Sequence, residues 1–102
     1  MNSNEPMVVE IDKEMQDLVP LFINQRKIDI AALEQAAAAN DHEAVRKIGH
    51  SLAGARASYG FQRVSDIGEA LEVAAKARND AEVAKEAGEL KDYMRRVVVK
   101  YV

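Results

Sequence analysis

Apolar residues recur at helical spacings, mostly of three and four, in four successive stretches of this chain of 102 residues. Such spacing places apolar side chains along one side of an α-helix, because successive residues are rotated by about 100° around its axis. Each stretch therefore predicts an amphipathic helix with one buried face. The predicted buried faces are Phe22, Ile30, Leu33 and Ala37, with Leu21, Ile23 and Ile28 at the margins; Val45, Ile48, Leu52, Ala55 and Tyr59; Val64, Ile67, Leu71 and Ala74 or Ala75; and Val83, Ala87, Leu90, Met94, Val97 and Tyr101.

Turn signals separate the four predicted helices. Asn40 and Asn79 are each followed three residues later by a glutamate, Glu43 or Glu82, which is typical of a capped helix start. Gly60 is predicted to end the second helix, because glycine readily takes the left-handed conformation found there. The predicted helices cover about 20–39, 41–58, 62–78 and 80–100.

The N-terminal part of the sequence is less regular. Residues 1–10 contain Asn, Ser and Pro6 and are predicted to form a loose segment. A short extra helix is predicted over about 12–18. Pro20 fits the first turn of a helix but not its interior, so either a break or a kink is predicted there. Short connections make successive helices antiparallel. We therefore predict an all-α fold, an antiparallel up-down-up-down four-helix bundle with a short extra N-terminal helix, in one domain over residues 11–102.

Length and composition exclude several classes of protein. A chain of 102 residues can bury one core, and without cysteine it forms neither disulfides nor thiolate metal sites. The net charge of −3, with mixed signs on every predicted helix, argues against a nucleic-acid surface. No apolar run approaches the ~20 residues that span a membrane, and no secretion signal is visible. We expect a cytoplasmic monomer that binds neither nucleic acid nor membrane.

His50 is predicted to face solvent, because it lies nearly opposite the centre of the buried stripe on the second helix. Arg46 and Lys47 precede it by about one turn on the same face, and cations there favour an anion at the ring. His42 lies eight residues away, roughly 12 Å along a helix, which is too far for the two histidines to bind one metal ion. Small residues that allow another protein to approach follow His50 on this face: Ala53, Gly54 and Ala57.

The sequence around His50 resembles the signature of histidine-containing phosphotransfer (HPt) domains. That signature is written H-x-L-K-G, with a glycine about six residues on and a later L-E or similar pair. The corresponding residues here are the run His50-Ser51-Leu52-Ala53-Gly54, then Gly60, then Leu71-Glu72. The similarity in the order and spacing of helices extends from about residue 12 to residue 102. One position departs from the signature, because Ala53 stands where the family usually has lysine.

The resemblance implies a role in two-component phosphorelays. In HPt domains the histidine accepts a phosphoryl group from an aspartate of a receiver domain and passes it to another receiver, so His50 is the implied phosphoacceptor. The implied partners are response-regulator receiver domains and a hybrid sensor histidine kinase. The receiver is expected to supply Mg²⁺, so we predict no cofactor for this chain. The sequence has no Gly-rich phosphate loop, nucleotide-binding fingerprint or acidic cluster for Mg²⁺, so we predict a phosphocarrier and not an ATP-dependent kinase.

The resemblance also assigns roles to the neighbours of His50. Gly54 corresponds to a small residue that leaves room for the docking receiver. Glu72 corresponds to a Gln or Glu that accepts a hydrogen bond from the imidazole, although a surface pair with Lys76 at i, i+4 explains it equally well. The predicted docking surface further includes Ala53, Arg56, Ala57 and Glu69.

The lysine that is missing at Ala53 leaves two questions open. Arg46 and Lys47 are predicted to supply positive charge near the phosphoryl group, although a solvated helix face is the plainer explanation of both. A second possible function is a non-phosphorylated helical adaptor or antagonist that docks on receiver or kinase domains. The retained histidine favours the phosphocarrier, because an adaptor does not need it.

Overall fold

The computed structural model describes residues 5–54 and 60–102, and most of these residues are helical. The four predicted helices are confirmed. Their arrangement is that of a bundle in which α1 packs on α2 and α4, and α3 packs on α2 and α4. Within the described part, the elements are strand β1 (Met7–Ile11), a 3₁₀ turn (Lys13–Met15), helices α1 (Val19–Ala38), α2 (His42–Gly54), α3 (Gln62–Lys76) and α4 (Asp80–Arg96), and strand β2 (Val97–Tyr101).

The residue that caps the start of α2 lies one position later than predicted. Asn40 takes a left-handed conformation (φ 55°) that ends α1, and the next N–H, that of Asp41, donates to the Ala36 carbonyl at 2.9 Å. The Asp41 carboxylate then accepts the Ala44 N–H at 3.1 Å. Asp41, and not Asn40, is therefore the residue that caps α2, because asparagine is better suited than most residues to the left-handed position.

The turn from α3 to α4 repeats this geometry. Arg78 takes the left-handed position (φ 54°), and the Asn79 N–H donates to the Ala74 carbonyl at 2.9 Å. The Asn79 side chain accepts the Glu82 N–H at 3.2 Å, which confirms the predicted cap of α4. Both turns are short, so the helices they join are antiparallel.

The chain termini form a small parallel sheet instead of helix. Strand β1 lies in the segment predicted to be loose, and the predicted extra N-terminal helix is reduced to the 3₁₀ turn. The last helix ends at Arg96, and β2 pairs with β1 from Met7↔Val97 to Ile11↔Tyr101. The run of three valines that opens β2 explains the difference, because β-branched side chains favour extended backbone over helix.

The core is built from one face of each helix. The predicted stripes are largely confirmed among the described residues, and Ala55 and Tyr59 lie outside them. Tyr93 is buried on α4 in addition to Leu90, and Val97 and Tyr101 belong to β2. Phe61 stacks on Phe22 with ring centroids 4.5 Å apart, which joins the start of α3 to α1. The most deeply buried helix residues include Leu33, Val45, Leu52, Val64, Ile67, Leu71, Val83 and Leu90. Among the described residues, no helix has both the length and the apolar character needed to cross a membrane.

The end of α2 is only partly described. The described part of the helix ends at Gly54, and its predicted continuation to Ser58 lies outside the described residues. Gly60 has a positive φ of 93°, a conformation that glycine adopts readily, and the residues directly before it lie outside the described part of the chain. An added Cβ at Gly60 would lie 3.2 Å from the Glu10 carbonyl of β1, so Gly60 itself lies close to the terminal sheet.

Helices α2 and α3 approach each other closely through glycine. A Cβ added at Gly68 would lie 2.5 Å from the Ala53 nitrogen and 2.7 Å from the Gly49 carbonyl. The Ser65 hydroxyl donates to the Ala53 carbonyl at 2.9 Å across the same contact. Gly68 therefore serves close helix packing, and this contact fixes the spacing between α2 and α3.

We predict that Gly68→Ala destabilises the fold by about 1–3 kcal/mol, because the new methyl group meets backbone atoms that cannot move aside. Gly88→Ala is the matched control, since a Cβ there meets nothing within 4 Å. That variant should gain about 0.5–1 kcal/mol from its higher helix propensity. Urea denaturation of the three proteins measures both effects, and equal stabilities for the two variants would contradict the close contact.

Candidate functional site

The packing of α2 turns His50 outward. Its neighbours Gly49 and Leu52 are buried against α3 and the core, and Val45 lies one turn earlier on the same buried side. The His50 side chain, on the opposite side, is 75% exposed. The ring is therefore accessible to another protein, in agreement with the helical periodicity of the sequence.

Glu72 on α3 contacts the ring of His50. Its Oε2 lies 3.2 Å from His50 Nδ1, and the glutamate side chain is 20% exposed. Because a carboxylate can only accept, Nδ1 carries the proton of this hydrogen bond and Nε2 of the neutral ring is unprotonated. The bond orients the imidazole and leaves Nε2 as the nitrogen with a free lone pair.

Lys76 lies beside the same carboxylate. Its Nζ is 3.9 Å from Glu72 Oε2, the oxygen that also faces His50. The sequence offered the imidazole contact and the Lys76 pair as alternatives for Glu72. The structure contains both, so one half-buried carboxylate joins the histidine to a lysine one turn further along α3.

The contact between His50 and Glu72 depends on the residue before the histidine. A Cβ added at Gly49 would lie 2.9 Å from the Glu72 nitrogen and 2.9 Å from the Gly68 carbonyl. The α3 backbone thus passes directly against Gly49. Any larger residue at position 49 would push Glu72 away from the imidazole.

Sequence reasoning assigned no role to Gly49. The sequence signal for close packing was Gly49 itself, a glycine inside a predicted helix and directly before the candidate histidine. A second glycine, Gly68, lies inside the next predicted helix.

Arg46 is held by its own helix. Its guanidinium donates to the Glu43 carboxylate through two hydrogen bonds of 2.6 and 3.1 Å. The hydrogen bond to Glu43 raises the pKa of Arg46, with smaller contributions from the charges of Glu43 and Glu72. The same bond lowers the pKa of Glu43, and the positive charge of Lys47 adds to that effect. Within the described part of the chain, neither Arg46 nor Lys76 hydrogen-bonds to the His50 ring.

Gly54 lies one turn after His50 on the open surface. A Cβ added there would meet nothing within 4 Å, so packing within the described residues does not require glycine at this position. Ala53 is half-buried at the contact with Gly68 and has no charge. Glu69 is exposed on α3, one turn before Glu72. The predicted docking residues Arg56 and Ala57 lie outside the described residues.

Val73 is an exposed residue that sequence reasoning missed. It follows Glu72 directly, and its side chain is 68% exposed, the most for a large apolar residue of α3. It lies in a shallow groove with Ala70 and Ala77, next to Glu69. The signal was an aliphatic residue outside the buried stripe of α3. The groove continues to Asn79 and Glu82 at the start of α4, so it lies on the α4 side of this helix.

The second histidine of the chain has a different environment. His42 Nε2 lies 2.7 Å from Asp80 Oδ1, which links the first turn of α2 to the first turn of α4. Its side chain is 20% exposed, against 75% for His50. His42 is therefore part of the contact between two helix ends, whereas His50 faces open surface.

Comparison with known proteins gives one match. The model of the Hpt domain family matches residues 17–99, a range that contains all four helices and both His50 and Glu72. Neither the curated proteins nor the solved structures gave a match to this chain.

We predict that Glu72 determines the tautomer of the neutral His50 ring. In the wild-type protein at about pH 8.5, the proton should reside on Nδ1, and Glu72→Ala should increase the fraction that carries it on Nε2. Long-range ¹H–¹⁵N NMR correlations of the imidazole measure this ratio. Glu69→Ala removes a carboxylate one turn away on the same helix and should leave the ratio unchanged. An identical tautomer in the wild-type and Glu72→Ala proteins would show that the contact does not orient the ring.

Proposed function

Since the chain belongs to the HPt domain family, we propose that it is a phosphocarrier in a two-component phosphorelay. In this proposal His50 accepts a phosphoryl group from the aspartate of one receiver domain and passes it to another receiver. Family membership supports a histidine phosphotransfer role in two-component signalling. The observation that carries the assignment to His50 is its exposed ring, held through Nδ1 by Glu72 at 3.2 Å.

The proposed reaction is a direct displacement at phosphorus. The lone pair of His50 Nε2 attacks the aspartyl phosphate, the bond from phosphorus to the aspartate oxygen breaks, and the receiver carboxylate leaves with the electron pair. Nδ1 keeps its proton, and the charge of Glu72 offsets the positive charge that develops on the ring. The return step is the same displacement in reverse, with the carboxylate of a second receiver as the nucleophile.

The remaining requirements of the reaction fall to the partner. HPt domains are phosphocarriers and not kinases, so the phosphoryl group comes from another protein. We expect the receiver to bring Mg²⁺, which neutralises charge on the transferred group. Docking near Gly54 and Ala53 would allow a receiver to approach the ring closely, and Glu69 extends this surface onto α3. A hybrid sensor kinase as the donor and a cytoplasmic location stay predictions.

One observation favours the alternative function, a non-phosphorylated adaptor. Ala53 supplies no cation, and the guanidinium of Arg46 is bound to Glu43. The site therefore has less positive charge than the family signature provides. An adaptor would keep the docking surface around Gly54 and bind receivers without accepting a phosphoryl group.

We predict that the purified chain becomes phosphorylated when it is incubated with a receiver domain that carries an aspartyl phosphate. The label should be acid-labile and base-stable, as expected for a phosphohistidine, and it should be absent from His50→Gln. His42→Gln is the matched control and should keep the label, because that histidine contacts Asp80 at another place on the surface. Binding to receivers without any label on the wild-type protein would support the adaptor instead.

We further predict that the charges on the first turns of α2 influence the transfer rate. Lys47→Gln should lower it about twofold, because a cation near the phosphoryl group is lost. Glu43→Gln should raise it about twofold, because a negative charge is removed and Arg46 is released. Both effects should shrink in high salt. Rapid-quench measurements test this, with Glu82→Gln and Lys85→Gln on α4 as controls; unchanged rates would show that Arg46 and Lys47 only form a solvated helix face.

A further inference from the structure

The outer face of α1 carries large aliphatic side chains and almost no charge. Leu21 and Ile28 are 68% and 55% exposed. Charged residues that are exposed on this helix are limited to Lys27 and Glu34, which lie along one edge of the face. The other exposed residues of α1 are uncharged: Pro20, Asn24, Gln25, Ala31, Ala32, Gln35 and Ala38.

Helices α3 and α4 expose charged side chains along their lengths, and α2 does so in its first half. Charged residues make up 30% of the chain, whereas this face of α1 has none apart from the two on its edge. A surface of this kind is typical of a helix that packs against another helix. Exposed charged residues on the other helices include Glu43 and Lys47 on α2, Arg63, Asp66, Glu69 and Lys76 on α3, and Asp80, Lys85, Lys91 and Arg95 on α4.

The uncharged face has the seven-residue spacing of a seam between two helices. One row of the seam begins with two large aliphatic residues, and the second row contains two alanines. In heptad notation, position a is occupied by Leu21, Ile28 and Gln35, and position d by Asn24, Ala31 and Ala38.

Two copies of this face fit each other when the helices run antiparallel. Reversing one helix brings the a row of one copy against the d row of the other, and each facing pair of residues forms one layer of the interface. In two of the layers a large aliphatic residue faces an alanine, and in the third an amide side chain faces another amide. The backbones can approach closely where alanine is the smaller residue. The resulting layers are Leu21 with the partner's Ala38, Ile28 with the partner's Ala31, and Gln35 with the partner's Asn24.

The charged edge selects the same arrangement. Lys27 and Glu34 both occupy heptad position g, seven residues apart. In an antiparallel pair the same edge of both helices comes together, so Lys27 faces the partner's Glu34 and Glu34 faces the partner's Lys27. In a parallel pair each g residue faces the partner's e residue five positions later, so Lys27 would face Ala32 and Glu34 would face Ala39, which are both uncharged. The charge pattern is therefore self-complementary only in the antiparallel orientation.

The contact that Glu34 makes within the chain is compatible with this pairing. Its Oε2 lies 3.2 Å from Lys91 Nζ of α4. Both side chains are more than half exposed, so a second cation can reach the carboxylate. Glu34 would then lie between Lys91 of its own chain and the partner's Lys27.

We propose that α1 binds a second copy of this chain, helix against helix, as an antiparallel homodimer. A helix of 20 residues is about 30 Å long, which limits the interface and makes the dimer weak and concentration-dependent. The proposed interface contains no residue of α2 or α3, so His50 and Glu72 stay accessible in both copies. The proposal replaces the monomer expected from the sequence and does not depend on the phosphotransfer function.

Reversing a charge on α1 tests two parts of the proposal at once: that the two helices are antiparallel, and that the partner is a second copy of this chain. Sedimentation equilibrium of the full chain from about 1 µM to about 1 mM should show a monomer–dimer equilibrium. Lys27→Glu should raise the dissociation constant of the dimer about tenfold, because the new glutamate at position 27 then faces the partner's Glu34 on both sides of the pair. An equimolar mixture of Lys27→Glu with Glu34→Lys should restore the affinity, because both facing pairs regain opposite charges. Lys13→Glu changes the net charge equally outside α1 and should have no effect.

Disulfide cross-linking gives an independent measurement, because the chain has no cysteine of its own. Mixing Leu21→Cys with Ala38→Cys under mild oxidation should give the mixed dimer, whereas a parallel pair would link Leu21→Cys to itself. The proposal is overturned by a monomer across the concentration range, by a dimer that tolerates Lys27→Glu, or by cross-linking of Leu21→Cys alone.

Discussion

The close backbone contact between α2 and α3 determines the geometry of the candidate site. Gly49 and Gly68 leave no room for a Cβ between the two helices, so the α3 backbone lies against the residue that precedes His50. A glutamate on α3 can then reach the ring of a histidine that itself points to solvent. Without this contact, an exposed histidine on α2 would have no partner from the neighbouring helix to fix its tautomer. Packing and chemistry thus depend on the same two glycines.

The charges around His50 are arranged in pairs. Glu72 lies between the imidazole and Lys76, and Glu43 holds Arg46 one turn before the histidine. A paired cation can still be drawn toward a phosphoryl group, because exposed ion pairs are weak and exchange readily. In the proposed phosphotransfer, the positive charge near the phosphoryl group would therefore depend on how the docked receiver displaces these pairs. This arrangement differs from the family signature, in which a lysine next to the histidine provides the charge directly.

Periodicity predicted most of the fold, because each helix buries one face against a common core. It also predicted the exposure of His50, which follows from rotation around a single helix. The contact between His50 and Glu72 required knowledge of how two helices approach, and only the family resemblance suggested it. Periodicity failed at the ends of the chain: Val97 and Tyr101 continue the spacing of α4 but form a strand, since pairing with β1 outweighs one more helical turn. At the first turn, Asn40 and Asp41 are both good caps, and the sequence does not show which one takes the left-handed position.

The distribution of charge separates two kinds of surface on this small protein. With a net charge of −3, two copies repel each other over most orientations, and repulsion is weakest where a surface has no charge. The outer face of α1 is such a surface, and its edge residues Lys27 and Glu34 attract an identical face only when it is reversed. The surface around His50 and Glu72 has charges of both signs, which suits recognition of a different protein in one orientation. The proposed association through α1 and the proposed docking at His50 therefore use surfaces that do not compete.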